Sequence, residues 1–397
     1  MNVLSLVAAV LVSIPLGCYA ARRLLFAIVA LLPRRPLPAH GVLPSLAVLV
    51  AAHNEAAVVD RALAALSAID YPPDRLRIVV VDDASDDGTA KLLQRWAAGR
   101  SNALFLGLRE PLGKAEALNH GIAAVPEAEL IAISDADQRP EPDCFRRIAE
   151  VFGDPEVGAV AGYLVPANSS ASPIAHYAAM EAWVHQLVTS AAKDRLDLNP
   201  PMLGGACTYR RTALTQIGGF RPGAHGEDVE STVALTRAGW RTRFVPAARA
   251  DNIVVQTWRD YWRQHIRWAR SLFDTAAPVG RSTCVSASVP VDRRLELWIL
   301  STGYLDRVAL LAAAALAGAG LITAWIPLVY LASIVPGLLV AVWRAGTGIR
   351  AAAYLAWTAI FFALDVGASL AAVLHHLRRA PRVWVRPQRA LHPNTRS

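Results

Sequence analysis

Lysine is nearly absent from this 397-residue chain: Lys91, Lys114 and Lys193 stand within a total of 40 basic residues, the rest being arginine. Such a bias fits GC-rich coding as easily as selected chemistry. Charge of either sign is scarce, at 18% of residues, where an ordinary soluble domain carries ~25%. Cysteine is limited to Cys18, Cys144, Cys207 and Cys284. These lie far apart, with no CxxC and no histidine at ligand spacing, which argues against a disulfide framework and a structural zinc site. No GxGxxG follows the first candidate strand, so the dinucleotide fingerprint is missing. What fills the chain is apolar: 54% hydrophobic residues and a mean hydropathy of +0.32. That excludes a disordered protein and argues against a fully soluble one. The net charge of +8 and pI of about 9.6 are compatible with nucleic acid, anionic lipid or a phosphorylated small molecule. No basic stripe lies outside the stretches that read as membrane-facing, which sets nucleic acid aside.

The apolar residues are unevenly spread. Met1 to Ala21 carries no side-chain charge; Arg22 and Arg23 follow, then Leu24–Leu32 and Pro33-Arg34-Arg35-Pro36. No clean small-x-small cleavage site follows, so an N-terminal anchor is preferred to a signal peptide. The arginines on its C-terminal side place that side in the cytoplasm. Val308 to Trp343 is free of charge over 36 residues, long for one span and short for two. Gly318, Gly320 and Pro327 favour a tight helical hairpin there. Ala351 to Leu374 is a further candidate span, interrupted only by Asp365, which is expected to face the bundle interior. The basic tail, with Arg378, Arg379, Arg382, Arg386, Arg389 and Arg396, asks for an even number of C-terminal crossings. The apolar stretches suggest three, and three is weighted slightly above two.

Between these zones the pattern is α/β. Leu46–Ala51, Arg77–Val81, Leu104–Leu108 and Leu130–Ser134 read as strands. Helical patterns follow at Val58–Leu66, Leu92–Trp96 and Ala115–Ile122. Strands alternating with helices imply a mainly parallel sheet covered on both faces, and such sheets bind ligands at the carboxyl ends of their strands. Polar clusters stand at three of those ends.

Asp135-Ala136-Asp137 closes the fourth strand. Residues i and i+2 share a face, so the two carboxylates can converge on a cation such as Mg²⁺ or Mn²⁺ bridged to phosphate oxygens. A solvated turn is the plain alternative. Asp82 and Asp83 end the second strand. Asp86 could cap the next helix, but the tandem asks for more, and one carboxylate can accept from a base N–H or a ribose hydroxyl. Gly113-Lys114 opens a helix, where the lysine can touch a phosphate or hold the sheet end electrostatically. This is not a Walker A loop, because the required spacing is missing. Gly226-Glu227-Asp228-Val229-Glu230 is either an acid-rich helix start or the seat of a general base. Trp258 to Arg270 is aromatic and basic, and fits an amphipathic helix on a membrane face.

Taken in order, VLVAAHNE (48–55), VVVDDASDDGT (79–89), GKAEALNHG (113–121), SDAD (134–137), GGACTYRRTAL (204–214), GEDVE (226–230) and QHIRW (264–268) resemble the membrane-embedded family 2 glycosyltransferases. These include the cellulose, chitin-oligosaccharide, hyaluronan and poly-N-acetylglucosamine synthases. The resemblance covers roughly residues 44–275 and implies a GT-A-type nucleotide-sugar-binding domain with N- and C-terminal transmembrane helices. It further implies that Asp83 recognises the base and that Lys114 lies beside the nucleotide. Asp135 and Asp137 would be the DxD pair, with Asp137 the more direct ligand of the Mg²⁺ or Mn²⁺. Asp228 would be the acid-base carboxylate. Gln264, Arg267 and Trp268 would be the QxxRW motif, binding the diphosphate and stacking near the acceptor. Gly226 departs from the pattern, since many polymer synthases have Thr there.

The expected organisation is an anchor (1–33), a catalytic domain (44–255), interfacial helices with QxxRW (256–307), a transmembrane bundle (308–376) and a basic tail (377–397). The expected activity is inverting transfer of a hexosyl or N-acetylhexosaminyl group, from a nucleotide-sugar donor expected to be UDP-linked, to a saccharide or lipid-linked hydroxyl. It takes place at the cytoplasmic face of the plasma membrane. Rival readings are single addition to a lipid, similar to ceramide glucosyltransferases, and a non-catalytic scaffold with a degenerate transferase domain.

Overall fold

The computed structural model describes residues 3–33, 41–224, 226–283 and 289–378. After a long N-terminal helix, α1 (Val3–Leu31), the chain alternates strand and helix: β1 (Leu46–Ala52), α2 (Val59–Ser67), β2 (Leu76–Asp82), α3 (Thr89–Ala98), β3 (Ala103–Gly107), α4 (Lys114–Ala123) and β4 (Leu130–Ile133). The strand order β3-β2-β1-β4 is parallel throughout. The apolar runs read from the sequence form these strands because both faces are covered. Ala47, Leu49, Val79, Val81, Ile131 and Ile133 pack with Ala117 and Leu118 of α4 on one side. Leu46, Val48, Val50, Ile78 and Val80 pack with Leu63 of α2 and Leu93 of α3 on the other.

The sheet then continues with strands of another kind. These are β5 (Arg139–Pro140), β6 (Val157–Pro166), β7 (Cys207–Arg210) and β8 (Arg241–Asn252), in the order β4-β7-β6-β8-β5. Here β7 runs antiparallel to β4 and β6, and β5 antiparallel to β8, while β6 and β8 are parallel. The sheet is thus parallel in its first half and mixed in its second. Between β5 and β8 lie α5 (Cys144–Ala149), α6 (Pro173–Trp183), α7 (Ala191–Leu196), α8 (Arg211–Gln216) and α9 (Glu227–Arg237). A π-helical stretch, Val184–Ser190, joins α6 to α7. There the Gln186 amide pairs with both the N–H and the C=O of Leu164 on β6, at 2.8 and 3.0 Å.

The remaining helices are α10 (Trp258–Thr283), α11 (Val291–Ser301), α12 (Leu305–Gly318), α13 (Trp325–Ala332), α14 (Ile334–Arg344) and α15 (Ala351–Leu377). Among the described residues, three stretches are long and apolar enough to cross a membrane: Leu6–Leu31, Trp325–Arg344 and Gly348–Leu377. The bent pair Val291–Leu300 and Leu305–Gly318 would make a fourth if counted as one span. Gly320, at φ +70°, lies in the turn between α12 and α13, inside the stretch expected to form a hairpin. Asp365 is buried and accepts from Arg307 Nε at 3.0 Å, facing protein as expected.

Arg22 and Arg23 do not stand as flanking charges beyond the first span. Both lie within α1 and are paired. Arg22 meets Glu296, which Lys193 also holds at 2.8 Å. Arg23 donates to Asp306 and to the Tyr330 hydroxyl, each at 2.8 Å. Their weight as topological signals is correspondingly smaller; Arg34 and Arg35 lie outside the described residues.

Candidate active site

The strand ends converge on Lys114. As the first residue of α4, it extends its ammonium to Asp135 Oδ1 and Glu227 Oε1, both at 2.7 Å. It also reaches the carbonyl of Gly204 at 3.2 Å. One cation thus ties together α4, the turn after β4, the Gly204-Gly205 turn and the first turn of α9. Burial lowers the Lys114 pKa, but the two carboxylates more than reverse this and hold it well above the ordinary lysine range.

Asp135 is further fixed by Gln138, whose Nε2 donates to Asp135 Oδ2 at 2.9 Å while its Oε1 accepts from the Asp135 N–H at 3.2 Å. Gly205 makes room for this amide, because a Cβ there would fall 1.9 Å from Gln138 Oε1. Gly204 adopts φ +80°, and a Cβ on it would sit 3.4 Å from Asp228 Oδ2 and 3.7 Å from Lys114 Nζ. The bare glycine pair leaves the space in front of the acids open.

Asp228 is partly buried in the first turn of α9. Its Oδ1 accepts from the Val229 N–H at 2.8 Å. Burial and the neighbouring Glu227 carboxylate raise its pKa to about 7, against an opposing pull from Lys114. Arg267 on α10 approaches the same acids. Burial lowers its pKa, and Glu227 and Asp228 counter that. The departure at Gly226 has a local cause: a Cβ there would lie 2.2 Å from Ser271 Oγ of α10. A glycine lets α10 close on the start of α9.

Asp83 plays a structural part not foreseen from the sequence. It is buried, and its two carboxylate oxygens accept from the backbone N–H of Leu112 at 2.7 Å and of Gly113 at 2.8 Å. It therefore braces the turn that delivers Lys114. The buried Asp82 instead accepts from the Ser85 N–H at 3.1 Å. Asp87, rather than Asp86, holds the first amide of α3, through Thr89 N at 3.0 Å. Asp137 is half-buried two residues beyond Asp135. Gln264, Arg267 and Trp268 lie at i, i+3 and i+4 on α10, with Trp268 exposed and its ring 5.1 Å from that of His265.

The structure thus brings Lys114, Asp135, Asp228 and Arg267 into one electrostatic cluster and links Asp83 to it through the 112–113 turn. The ring of Trp268 lies against that of His265. Glu227, Gln138, Gly204 and Gly205 belong to the site and were not singled out in sequence. Tandem acids in GEDVE and the glutamine directly after SDAD were the available signals. The oxygen donors of Asp135, Asp137 and Gln138 suit a hard divalent cation, which commonly takes one or two carboxylates and fills its shell from phosphate and water. Asp135 already shares Lys114, so Asp137 is the carboxylate better placed to bind an ion directly.

Residues 44–271 match the profile described as "Glycosyltransferase like family 2". The matched segment runs beyond β8 into α10 and includes QHIRW. An N-acetylglucosaminyltransferase of Rhizobium meliloti is 34% identical over 243 residues, covering 58% of this chain and 56% of that protein. A probable glycosyltransferase, YdaM, of Bacillus subtilis is 30% identical over 232 residues, covering 57% and 55% respectively. The chain therefore spans about half the length of these curated relatives. Among solved structures, the mannosyltransferase PcManGT from Pyrobaculum calidifontis, in complex with GDP-Man and Mn²⁺, superposes with a TM-score of 0.68. It shares 24% identity, over 94% of this chain and 99% of that one, and shows that the two share a fold.

Proposed function

The chain belongs to the family 2 glycosyltransferases, and from that premise we propose that it transfers a sugar from a nucleotide donor to a hydroxyl acceptor with inversion, using Asp228 as general base. The observation that carries this reading is the seat of Asp228. Glu227 and burial hold its pKa near 7, where a base is both deprotonated enough and basic enough to be useful at neutral pH.

In this reading the acceptor hydroxyl approaches through the opening at Gly204, and Asp228 takes its proton as the oxygen attacks the anomeric carbon. Direct displacement with a single base inverts that carbon, so an α-linked donor gives a β-linked product. Arg267 faces the diphosphate leaving group and offsets the charge that grows on it. Lys114 keeps Asp135 and Glu227 in place, Asp83 keeps Lys114 in place and offers its remaining lone pairs to the base, and Gln264 and Trp268 line the acceptor side. A Mg²⁺ or Mn²⁺ ion held by Asp137 and Asp135 would supply further positive charge at the diphosphate. Turnover is accordingly expected to stop in excess chelator and to return with added Mn²⁺.

The names of the bacterial relatives favour an N-acetylhexosaminyl donor, and we take its nucleotide to be UDP, as the motif resemblance implies. The apolar helices favour a multi-pass enzyme of the plasma membrane, with residues 44–255 catalytic and cytoplasmic, 256–307 interfacial, and the acceptor a saccharide or lipid hydroxyl. The deciding experiment is Asp228→Asn. The variant should retain nucleotide binding and lose transfer by well over tenfold, which corresponds to ~1.4 kcal/mol of barrier. Retention of more than a tenth of the wild-type rate would remove Asp228 from the base role. Sizing of the product formed on extracted lipids separates chain extension from a single addition.

A further inference from the structure

A second cluster lies apart from the strand ends. Glu181 of α6, His265 of α10 and Asp365 of α15 each bring one ligand atom within 4.8 Å of the others. Each has its other polar atom engaged. His265 Nδ1 lies 3.0 Å from the Tyr261 carbonyl; a carbonyl only accepts, so Nδ1 carries a proton and Nε2 is the nitrogen turned toward Glu181. Glu181 Oε1 accepts from the Tyr261 hydroxyl at 2.8 Å, and Asp365 Oδ2 accepts from Arg307 Nε at 3.0 Å. What remains are Nε2, Oε2 and Oδ1, one from each helix.

His265 Nε2 and Glu181 Oε2 stand 3.3 Å apart. A ring nitrogen and a carboxylate oxygen at that distance have a positive charge between them, either a proton on Nε2 or a metal ion. The spacing matches the edge of a tetrahedron whose metal–ligand bonds are ~2.0–2.1 Å. The engaged outer atoms match the pattern that orients metal ligands, in which histidine donates its second N–H to a carbonyl and carboxylates are held by neighbours. Glu181, Asp306 and Asp365 outnumber Arg23 and Arg307 by one, so one further positive charge, a proton on His265 or a metal ion, completes the balance. Access exists as well, since the Glu181 side chain is 29% exposed while those of His265 and Asp365 are 7% and 3%.

We propose that Glu181, His265 and Asp365 form a metal site separate from the donor site, taking a zinc-class divalent cation on Nε2, Oε2 and Oδ1 with water completing the shell. The scarcity of cysteine does not bear on such a site, because its ligands are imidazole and carboxylate. Its structural effect is to pin α10, which carries Arg267 and Trp268, to α6 and α15.

The test uses full-length protein in detergent carrying Asp137→Ala, so that the strand-end ion does not contribute. After chelator treatment, Zn²⁺ is titrated by calorimetry, and retained metal is counted by mass spectrometry after gel filtration. One equivalent should bind, and adding His265→Gln or Glu181→Gln should weaken binding at least tenfold. Zn²⁺ should raise the melting temperature of the Asp137→Ala protein and leave that of Asp137→Ala with Glu181→Gln unmoved, a comparison that stands even if the His265 variant does not fold. Equal binding in all of these proteins overturns the proposal. So does an absence of bound Zn²⁺, and a doubly protonated His265 by ¹⁵N NMR would then assign the cluster as an ion pair. Neither readout involves sugar transfer, so the site stands or falls independently of the proposed reaction.

Discussion

At the residue scale, Asp228 fits catalysis better than it fits stability. A carboxyl whose folded pKa is raised keeps its proton to about pH 7 in the native state and releases it near ~3.9 when unfolded. Its effect on folding is therefore neutral below ~3.9, becomes unfavourable as pH rises toward 7, and is fully unfavourable above that. Asp228→Asn removes this cost, so the variant should melt no lower than wild type at pH 8 while failing to transfer sugar. In the active enzyme the base must be deprotonated, so kcat/KM should fall tenfold per pH unit below about 7. Glu227→Gln should move that acid limb to lower pH. Glu227 is itself one of the causes that raise the Asp228 pKa, and its loss also leaves Lys114 freer to act on Asp228. A pH–rate profile of the two proteins checks both the position and the direction. An unmoved limb would mean that Asp228 does not set it. Asp228 and Lys114 were legible in sequence because their motifs are local. Glu227 and Gln138 were not, because their value comes from contacts with Lys114 and Asp135 that only the fold creates.

At the element scale, the same division separates the two halves of the sheet. β1, β2 and β4 are continuous apolar runs because both faces are covered, and such runs announce themselves. β5 is two residues long, β7 is four, and β8 carries Arg241, Arg243 and Arg249. These arginines are tolerated because Arg243 meets Asp194 at 2.7 Å and Arg241 meets Glu156 at 3.0 Å, partners distant in sequence. The apolar helices show a related device. Asp306, at 1% exposure, accepts from Arg23 of α1, from Arg307 and from Tyr330 of α13, joining helices that lipid alone would not order. Breaking a buried pair leaves uncompensated charge and costs ~3–5 kcal/mol. Asp306→Ala should therefore leave Arg23 without a carboxylate and Arg307 with Asp365 alone, and lower the thermal midpoint in detergent by several degrees. Asp306→Ala combined with Arg23→Met should recover part of the loss. A single variant as stable as wild type would show that the network is solvated.

At the scale of the whole molecule, the packing bears on a conflict that the sequence left open. Three apolar C-terminal stretches suggest three crossings, whereas the arginines after Leu377 ask for an even number. α14 and the start of α15 reach the catalytic core: Ala341, Val342 and Tyr354 join the cluster under the sheet, and the Tyr354 hydroxyl meets Ser169 at 3.0 Å. The turn between them therefore lies on the catalytic side, and α12 with α13–α14 makes one excursion out and back. α15 then runs beside α10 rather than away from it. Phe361 and Leu364 pack near Tyr261, Gly367 abuts Trp262, Ala372 packs on Ala269, and the His376 ring lies 5.5 Å from that of Phe273. We read α10 as an amphipathic helix lying along the membrane face, and a helix packed along its whole length would end on that same side. We therefore expect two C-terminal crossings, with Arg378 on the catalytic side as the positive-inside rule asks. In intact cells expressing a cysteine-free background, Ala319→Cys, in the turn beyond α12, should react with an impermeant maleimide. Arg378→Cys should react only after permeabilisation. Labelling of both in intact cells would mean that α15 crosses, and the weight would return to three.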